Sequence, residues 1–264
     1  VTIRLAPVAA GLVAGGVPAV VVTVRDARGS TPREAGTRMV VAGGQLYGTI
    51  GGGRLEWAAA DRARAMIAAG EAGAVLSLPL GPAVGQCCGG HVVLSLARLD
   101  GTMAEAIDRD ERALAAGWPT VLLFGAGHVG IALARALAPL PLRLEWYDER
   151  ENAPATAMRE DPLAALAAAP AGAAVVVMTH EHHLDYAITE AALQRPDFAY
   201  VGMIGSATKK ARFSRGFLAN GNAPGLLARL TCPIGGHKLP DKSPPVIAAL
   251  VAAELLVVLS PPGE

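Results

Sequence analysis

The chain is 264 residues long, 52% hydrophobic but only 4% aromatic, with 23 Lys and Arg set against 23 Asp and Glu. The length leaves room for two domains with cores of their own, and the zero net charge excludes a global positive field that would favour nucleic acid or an anionic membrane. Three cysteines cannot all pair within one chain and show no disulfide framework, which fits a reducing cytoplasm.

Residues 5–24 carry no charge and follow Arg4, superficially like a signal peptide or membrane anchor. Pro7, Pro18 and the Gly15-Gly16 pair would interrupt a spanning helix. The segment instead reads as a helix over 7–14, a turn, and a buried strand over 19–24. A polar loop over 26–33 follows. Strands over 37–41 and 45–50 flank Ala42-Gly43-Gly44, a hairpin signal. Gly51-Gly52-Gly53 then opens a helix over 54–69, and strands over 74–80 and 91–97 follow. These elements predict a mixed sheet with one long helix. A helix over 103–116, dense in charge from Asp108 to Arg112, reads as a solvated connector.

From residue 120 the pattern becomes the βαβ rhythm of a doubly wound sheet. Strands are predicted over 120–124, 142–147, 173–178 and 198–204, with helices over 129–137, 184–194 and 208–218. An apolar stretch over 246–259, interrupted by Glu254, is too short to span a membrane and reads as a buried terminal helix. It has little polar surface, so it belongs to the core or to a homodimer interface. The expected fold is α/β: a mixed α/β N-terminal domain over 1–117, then a Rossmann-like doubly wound parallel-sheet domain over 118–264.

Gly85-Gln86-Cys87-Cys88-Gly89-Gly90 places two thiols side by side among glycines. Adjacent cysteines seldom both serve packing, because successive side chains on a strand point to opposite faces. The glycines leave the backbone open to close approach. Thiolates are soft ligands and nucleophiles, suited to molybdenum, copper, zinc or sulfur transfer. A turn with two buried thiols is the plainer alternative.

Gly125-Ala126-Gly127-His128-Val129-Gly130 lies between a strand and a helix, and Asp148 closes the next strand near the spacing of a ribose-binding carboxylate. Bare amides at a helix N-terminus favour phosphate or pyrophosphate; the same glycines also allow close helix–strand packing. His128 could bond such a phosphate or cap the turn. Thr179-His180-Glu181-His182-His183-Leu184-Asp185 follows a buried strand, where α/β sheets bind ligands. It lacks the order of the His-x-His-x-Asp-His zinc motif, which favours polar ligand contacts over catalytic zinc. Ser30, Thr31, Arg33 and Arg38 offer hydroxyls and guanidinium forks suited to phosphate. The 48–53 turn before Glu56 is another possible anion site. Lys209-Lys210-Ala211-Arg212 reads more readily as a solvated face.

Together these motifs resemble the xanthine dehydrogenase accessory protein family, XdhC/CoxI, almost end to end. The resemblance rests on Gly29-Ser30-Thr31-Pro32-Arg33, Gly48-Thr49-Ile50-Gly51-Gly52-Gly53 with Leu55-Glu56, and the 85–90 motif. In the second half it rests on the 125–130 loop, Thr179-His180 with Asp185, Tyr200-Val201-Gly202-Met203-Ile204-Gly205-Ser206, and Cys232-Pro233-Ile234-Gly235. It implies a cytoplasmic chaperone rather than an enzyme. Such a protein binds the molybdenum cofactor (molybdopterin, or its dinucleotide form), holds it while a cysteine desulfurase supplies the terminal sulfido ligand, and delivers it to a xanthine dehydrogenase-type molybdenum hydroxylase. A homodimer is also implied. On this reading Cys87 or Cys88 faces the molybdenum, flanked by Gln86 and Gly89. Ser30, Arg33 and Arg38 help to hold the pterin or phosphate, and Gly125, Gly127, His128, Gly130, Asp148 and His180 complete the cofactor-binding set. Two alternatives use the same residues: an NAD(P)-dependent oxidoreductase built on the 125–130 loop and Asp148, and a metal-dependent hydrolase built on His180, His182 and Asp185.

Overall fold

A computed structural model describes residues 4–80, 90–151, 153–236 and 241–260. The chain divides into two compact units, Val1–Ala116 and Gly117–Glu264, each with a five-stranded sheet.

The first unit runs α1 (Leu5–Ala14), β1 (Ala19–Arg28), β2 (Arg38–Ala42), β3 (Gln45–Gly48), α2 (Gly53–Ala69), β4 (Gly73–Pro79), β5 (His91–Arg98) and α3 (Gly101–Ala116). Its strand order is β3-β2-β1-β5-β4, and every neighbouring pair is antiparallel. The sheet is therefore not mixed. Two residues join β2 to β3, a connection open only to antiparallel neighbours.

The apolar run of β1 reflects cover on both faces. Val20, Val22 and Val24 pack with Leu55, Ala59 and Met66 of α2. Val21 lies in a second core with Leu5 and Ala9 of α1 and Ala104 and Ile107 of α3. Helix α3 is thus a packed layer and not a solvated connector; its charges describe only its outer side. Its Glu111 carboxylate accepts hydrogen bonds from the N–H groups of Leu5 (2.6 Å) and Ala6 (3.3 Å), satisfying donors that the first turn of α1 leaves open. Strand β1 also continues through part of the expected polar loop. A bulge between Val24 and Asp26 lets it pair on to Arg28 opposite His91.

The second unit runs β6 (Thr120–Phe124), α4 (His128–Leu137), β7 (Arg143–Tyr147), α5 (Pro162–Ala168), β8 (Ala174–Val177), α6 (His182–Gln194), β9 (Tyr200–Met203), α7 (Ala207–Ala219), β10 (Leu230–Thr231) and α8 (Pro244–Leu259). All four strand pairs are parallel, in the order β10-β9-β8-β6-β7. This is the doubly wound 2-1-3-4-5 order, whose direction reverses between its first and third strands. That switch point lies between β6 and β8. Helix α5 and strand β10 are additions to the expected elements. The helix has seven residues, started by Asp161, whose side chain accepts from Leu163 N–H, and the strand has two.

Helix α8 packs on α4 and buries Ala248, Val251 and Leu255. Its single charge, Glu254, accepts hydrogen bonds from Tyr200 Oη and Gly235 N, each at 3.0 Å. Among the described residues no helix is long and apolar enough to cross a membrane.

Candidate functional site

In the first unit three of the marked segments meet at one end of the sheet. The chain leaves β4 at Leu80 and re-enters β5 after Gly90, and these two residues close on each other through Leu80 N–H and Gly90 O at 2.7 Å. Gln86, Cys87, Cys88 and Gly89 lie outside the described residues. What is described is the base from which their segment springs. A Cβ at Gly90 would fall 2.4 Å from the Ser30 carbonyl oxygen and 2.8 Å from that of Arg28. Only glycine lets the two segments run this close. The Ser30 loop in turn touches the 48–53 turn, since Pro32 lies where a Cβ on Gly51 would be.

Ser30 and Arg33 are exposed and form no hydrogen bond or ion pair with other described residues. Arg38 differs: its Nη2 donates to Asp110 Oδ2 on α3 at 2.8 Å. Arg33 and Arg38 nevertheless border one cavity of about 740 Å³, with Thr49 opposite and Ile107 and Leu114 of α3 on its apolar side.

The 48–53 turn is not an open anion site. Glu56 folds back from the first turn of α2, and its Oε1 accepts from Ile50 N and Gly52 N, both at 3.0 Å, and from the Thr49 hydroxyl. The helix supplies its own carboxylate where an exogenous anion would sit. The glycines drew attention to the turn, but Glu56 beside them already carried the signal for how it is filled.

In the second unit the glycines divide the labour. Gly125 has φ +114°, and a Cβ on it would meet Met178 O at 2.1 Å; one on Gly130 would meet Gly125 O at 2.2 Å. These two let strand, loop and helix close on each other. A Cβ on Gly127 would meet nothing within 4 Å, so the open backbone lies there, at the N-cap of α4. This is the partition expected of a loop that receives a phosphate. His128 follows, exposed, its side chain making no hydrogen bond to other described residues.

Asp148 is engaged on every side. Its Oδ2 accepts from Ala126 N (2.5 Å) and Arg150 Nη2 (2.7 Å), and its Oδ1 from Arg150 Nε (2.8 Å) and Arg150 N (3.0 Å). Burial alone would raise its pKa, but the hydrogen bonds and charge of Arg150 and the Ala126 amide outweigh it and hold the carboxyl at about 2. A ribose seeking this carboxylate has to displace Arg150. The spacing of 148 to the glycines marked the acid; Arg150, two residues on, is the partner that the spacing rule passes over.

His180 is exposed at the C-terminal end of β8, its Nε2 3.4 Å from Glu181. It borders both the crevice at Gly125 and Asp148 and a neighbouring cavity beside Lys209. Asp185 is turned inward, where it binds Thr179 and Lys209. The hydrolase set is therefore split, and no group of three or more potential metal ligands occurs among the described residues. Cys232 is buried, and burial raises its thiol pKa despite the nearby lysines, so it is kept from the thiolate form that sulfur chemistry needs.

The architecture is that of a two-unit α/β protein: an antiparallel sheet carrying a loop base at its end, and a doubly wound parallel unit with a phosphate-type glycine loop. A family model described as the XdhC Rossmann domain matches residues 121–255, and one described as the XdhC and CoxI family matches residues 12–78. The chain belongs to the XdhC and CoxI family. It is 27% identical over 253 residues to the uncharacterized protein YqeB of Escherichia coli (strain K12), covering 91% of this chain and 43% of that one. The chain thus spans less than half the length of that curated relative. A crystal structure described as a xanthine dehydrogenase from Bacillus halodurans shares the fold, with a TM-score of 0.69 and 19% identity over 97% of this chain and 95% of the other.

Proposed function

We propose that this chain handles the molybdenum cofactor during maturation of a xanthine dehydrogenase-type molybdenum hydroxylase. It would receive the cofactor as cargo, keep it while a cysteine desulfurase supplies the terminal sulfido ligand, and pass it to the apo-subunit of the target. The setting is the cytoplasm, and the working form a homodimer.

The observation that supports this most is the contact between Gly90 and Ser30. It brings the base of the two-thiol segment beside a serine and an arginine that spend no hydrogen bonds on the other described residues. Soft sulfur from Cys87 or Cys88 suits molybdenum. The Ser30 hydroxyl and the Arg33 fork suit a pterin edge or a phosphate oxygen. In the second unit the open amides at Gly127 and the exposed His128 would bind a phosphate, that of the cofactor or of a separate nucleotide. Asp148, already held by Arg150, keeps the loop in shape and is a poor ribose acceptor, which favours this reading over an NAD(P)-dependent oxidoreductase.

The test is co-expression with cofactor biosynthesis, followed by metal analysis and fluorescence of the oxidised pterin on the purified full chain. The parent should carry molybdenum and pterin together. Cys87→Ser and Cys88→Ser should melt like the parent yet lose retention. Variants that hold cofactor like the parent would remove the thiols from the proposal. NAD binding with substrate-dependent reduction would replace it with a dehydrogenase.

A further inference from the structure

The second unit holds a cavity of about 460 Å³ at the C-terminal ends of β8 and β9, lined by His180 and His182 on one side and by Ser206, Lys209 and Arg212 on the other. We infer that it binds the phosphate of a phosphate monoester carried on a planar ring. The site lies apart from the two-thiol segment and the glycine loop, and its test does not use the molybdenum cofactor.

Lys209 is the anchor. Its side chain is 12% exposed, and its Nζ lies 2.5 Å from Asp185 Oδ2. Asp185, 1% exposed, is saturated on its other oxygen by Thr179 N and Thr179 Oγ1, each at 2.8 Å. A buried ion pair of this kind contributes little net stability, because desolvation offsets most of its attraction. What it does here is fix the ammonium at the cavity wall. Of the three N–H donors, Asp185 takes one, and no other described residue takes the remaining two. Gly205 makes room for this path: a Cβ there would meet Lys209 Cδ at 2.9 Å.

The other groups complete a tripod. Arg212 is exposed and makes no ion pair with the described residues, so its planar fork is open to two oxygens of one anion. Ser206 accepts from Lys209 N at 3.2 Å, which leaves its hydroxyl proton to donate. Ammonium, guanidinium and hydroxyl together match a group with three acceptor oxygens. The volume exceeds what inorganic phosphate needs. The His182 ring stacks with Tyr186 at 6.5 Å and 14°, a flat wall for the ring that the phosphate carries. Of the nearby carboxylates, Asp185 is paired with Lys209 and Glu181 turns to His183 at 2.8 Å and His180 at 3.4 Å; neither lines the cavity.

Adenosine 5′-monophosphate is a suitable probe, titrated into the full chain at constant ionic strength with adenosine and chloride as controls. Binding is followed by calorimetry and by the imidazole proton signals of His180 and His182, assigned with His180→Gln and His182→Gln. The monophosphate is expected to move both signals and to bind at least about tenfold more tightly than adenosine, with Arg212→Gln weakening it at least about tenfold. Arg212 is exposed, so that variant keeps the parent's melting behaviour. Lys209→Met should strand the Asp185 charge and lower stability. Equal binding of adenosine, unmoved histidine signals, or undiminished binding by Arg212→Gln would each overturn the inference. So would binding that survives Arg212→Gln but is lost in Gly127→Val, which would place the phosphate on the glycine loop.

Discussion

The carboxylate of Asp148 closes on the N–H of Ala126, 22 residues earlier in the chain, at 2.5 Å, and so ties the end of β7 to the glycine loop that follows β6. Arg150 clasps the same carboxylate from its other side. A carboxyl held at about 2 against a reference of 3.8 contributes stability above pH 3.8 that is lost as pH falls through about 2. The contribution is about 2 kcal/mol. Asp148→Asn is therefore expected to lower stability at neutral pH by about that amount, with the gap to the parent closing in acid. Urea denaturation at pH 7 and near pH 3 measures this; a gap that does not shrink with acid would show that the pair carries no such term.

The glycines of the same loop should separate cleanly. Gly125→Ala and Gly130→Ala drive a methyl into carbonyl oxygens at 2.1 and 2.2 Å, and each is expected to cost more than about 3 kcal/mol or to prevent the second unit from folding. Gly127→Ala meets nothing and should leave the melting temperature within a degree or two, about 0.5 kcal/mol. Circular dichroism melts of the three variants decide the matter.

Glu56 is expected to matter for stability and not for ligand capture. Glu56→Ala removes the acceptor of Ile50 N, Gly52 N and the Thr49 hydroxyl, and should destabilise the first unit by about 2 kcal/mol. Hydrogen exchange at the Ile50 and Gly52 amides should accelerate in step. Unchanged exchange there would mean that the turn holds without the carboxylate.

Gly90→Ala tests the base of the two-thiol segment. The methyl would fall on the Ser30 and Arg28 carbonyls, so the pairing of Arg28 with His91 should open. The expected loss is about 2 kcal/mol, together with molybdenum and pterin retention. Full retention in a destabilised Gly90→Ala would separate the loop base from cofactor handling.

The local features were legible in the residues themselves. Glycine at 125, 127 and 130 between an apolar run and a helix pattern announced strand, loop and helix, because backbone geometry there depends on neighbours a few residues apart. The largely apolar run over 19–24 announced a buried strand, for the same local reason, while the cover on both its faces came only with the fold. What residue order could not decide was partnership across the fold. Asp148 offers a carboxylate to any ligand until β7 is seen beside β6, with Arg150 turned back on it. Lys209 reads as a solvated charge until α7 is set against the inward-facing Asp185, 24 residues away. The charge density of α3 hid the two apolar residues that bury it, and antiparallel or mixed pairing in the first sheet followed from which hairpins zip together. Periodicity is a property of a short stretch, whereas strand order and the pairing of buried charges depend on which distant segments the cores bring into contact.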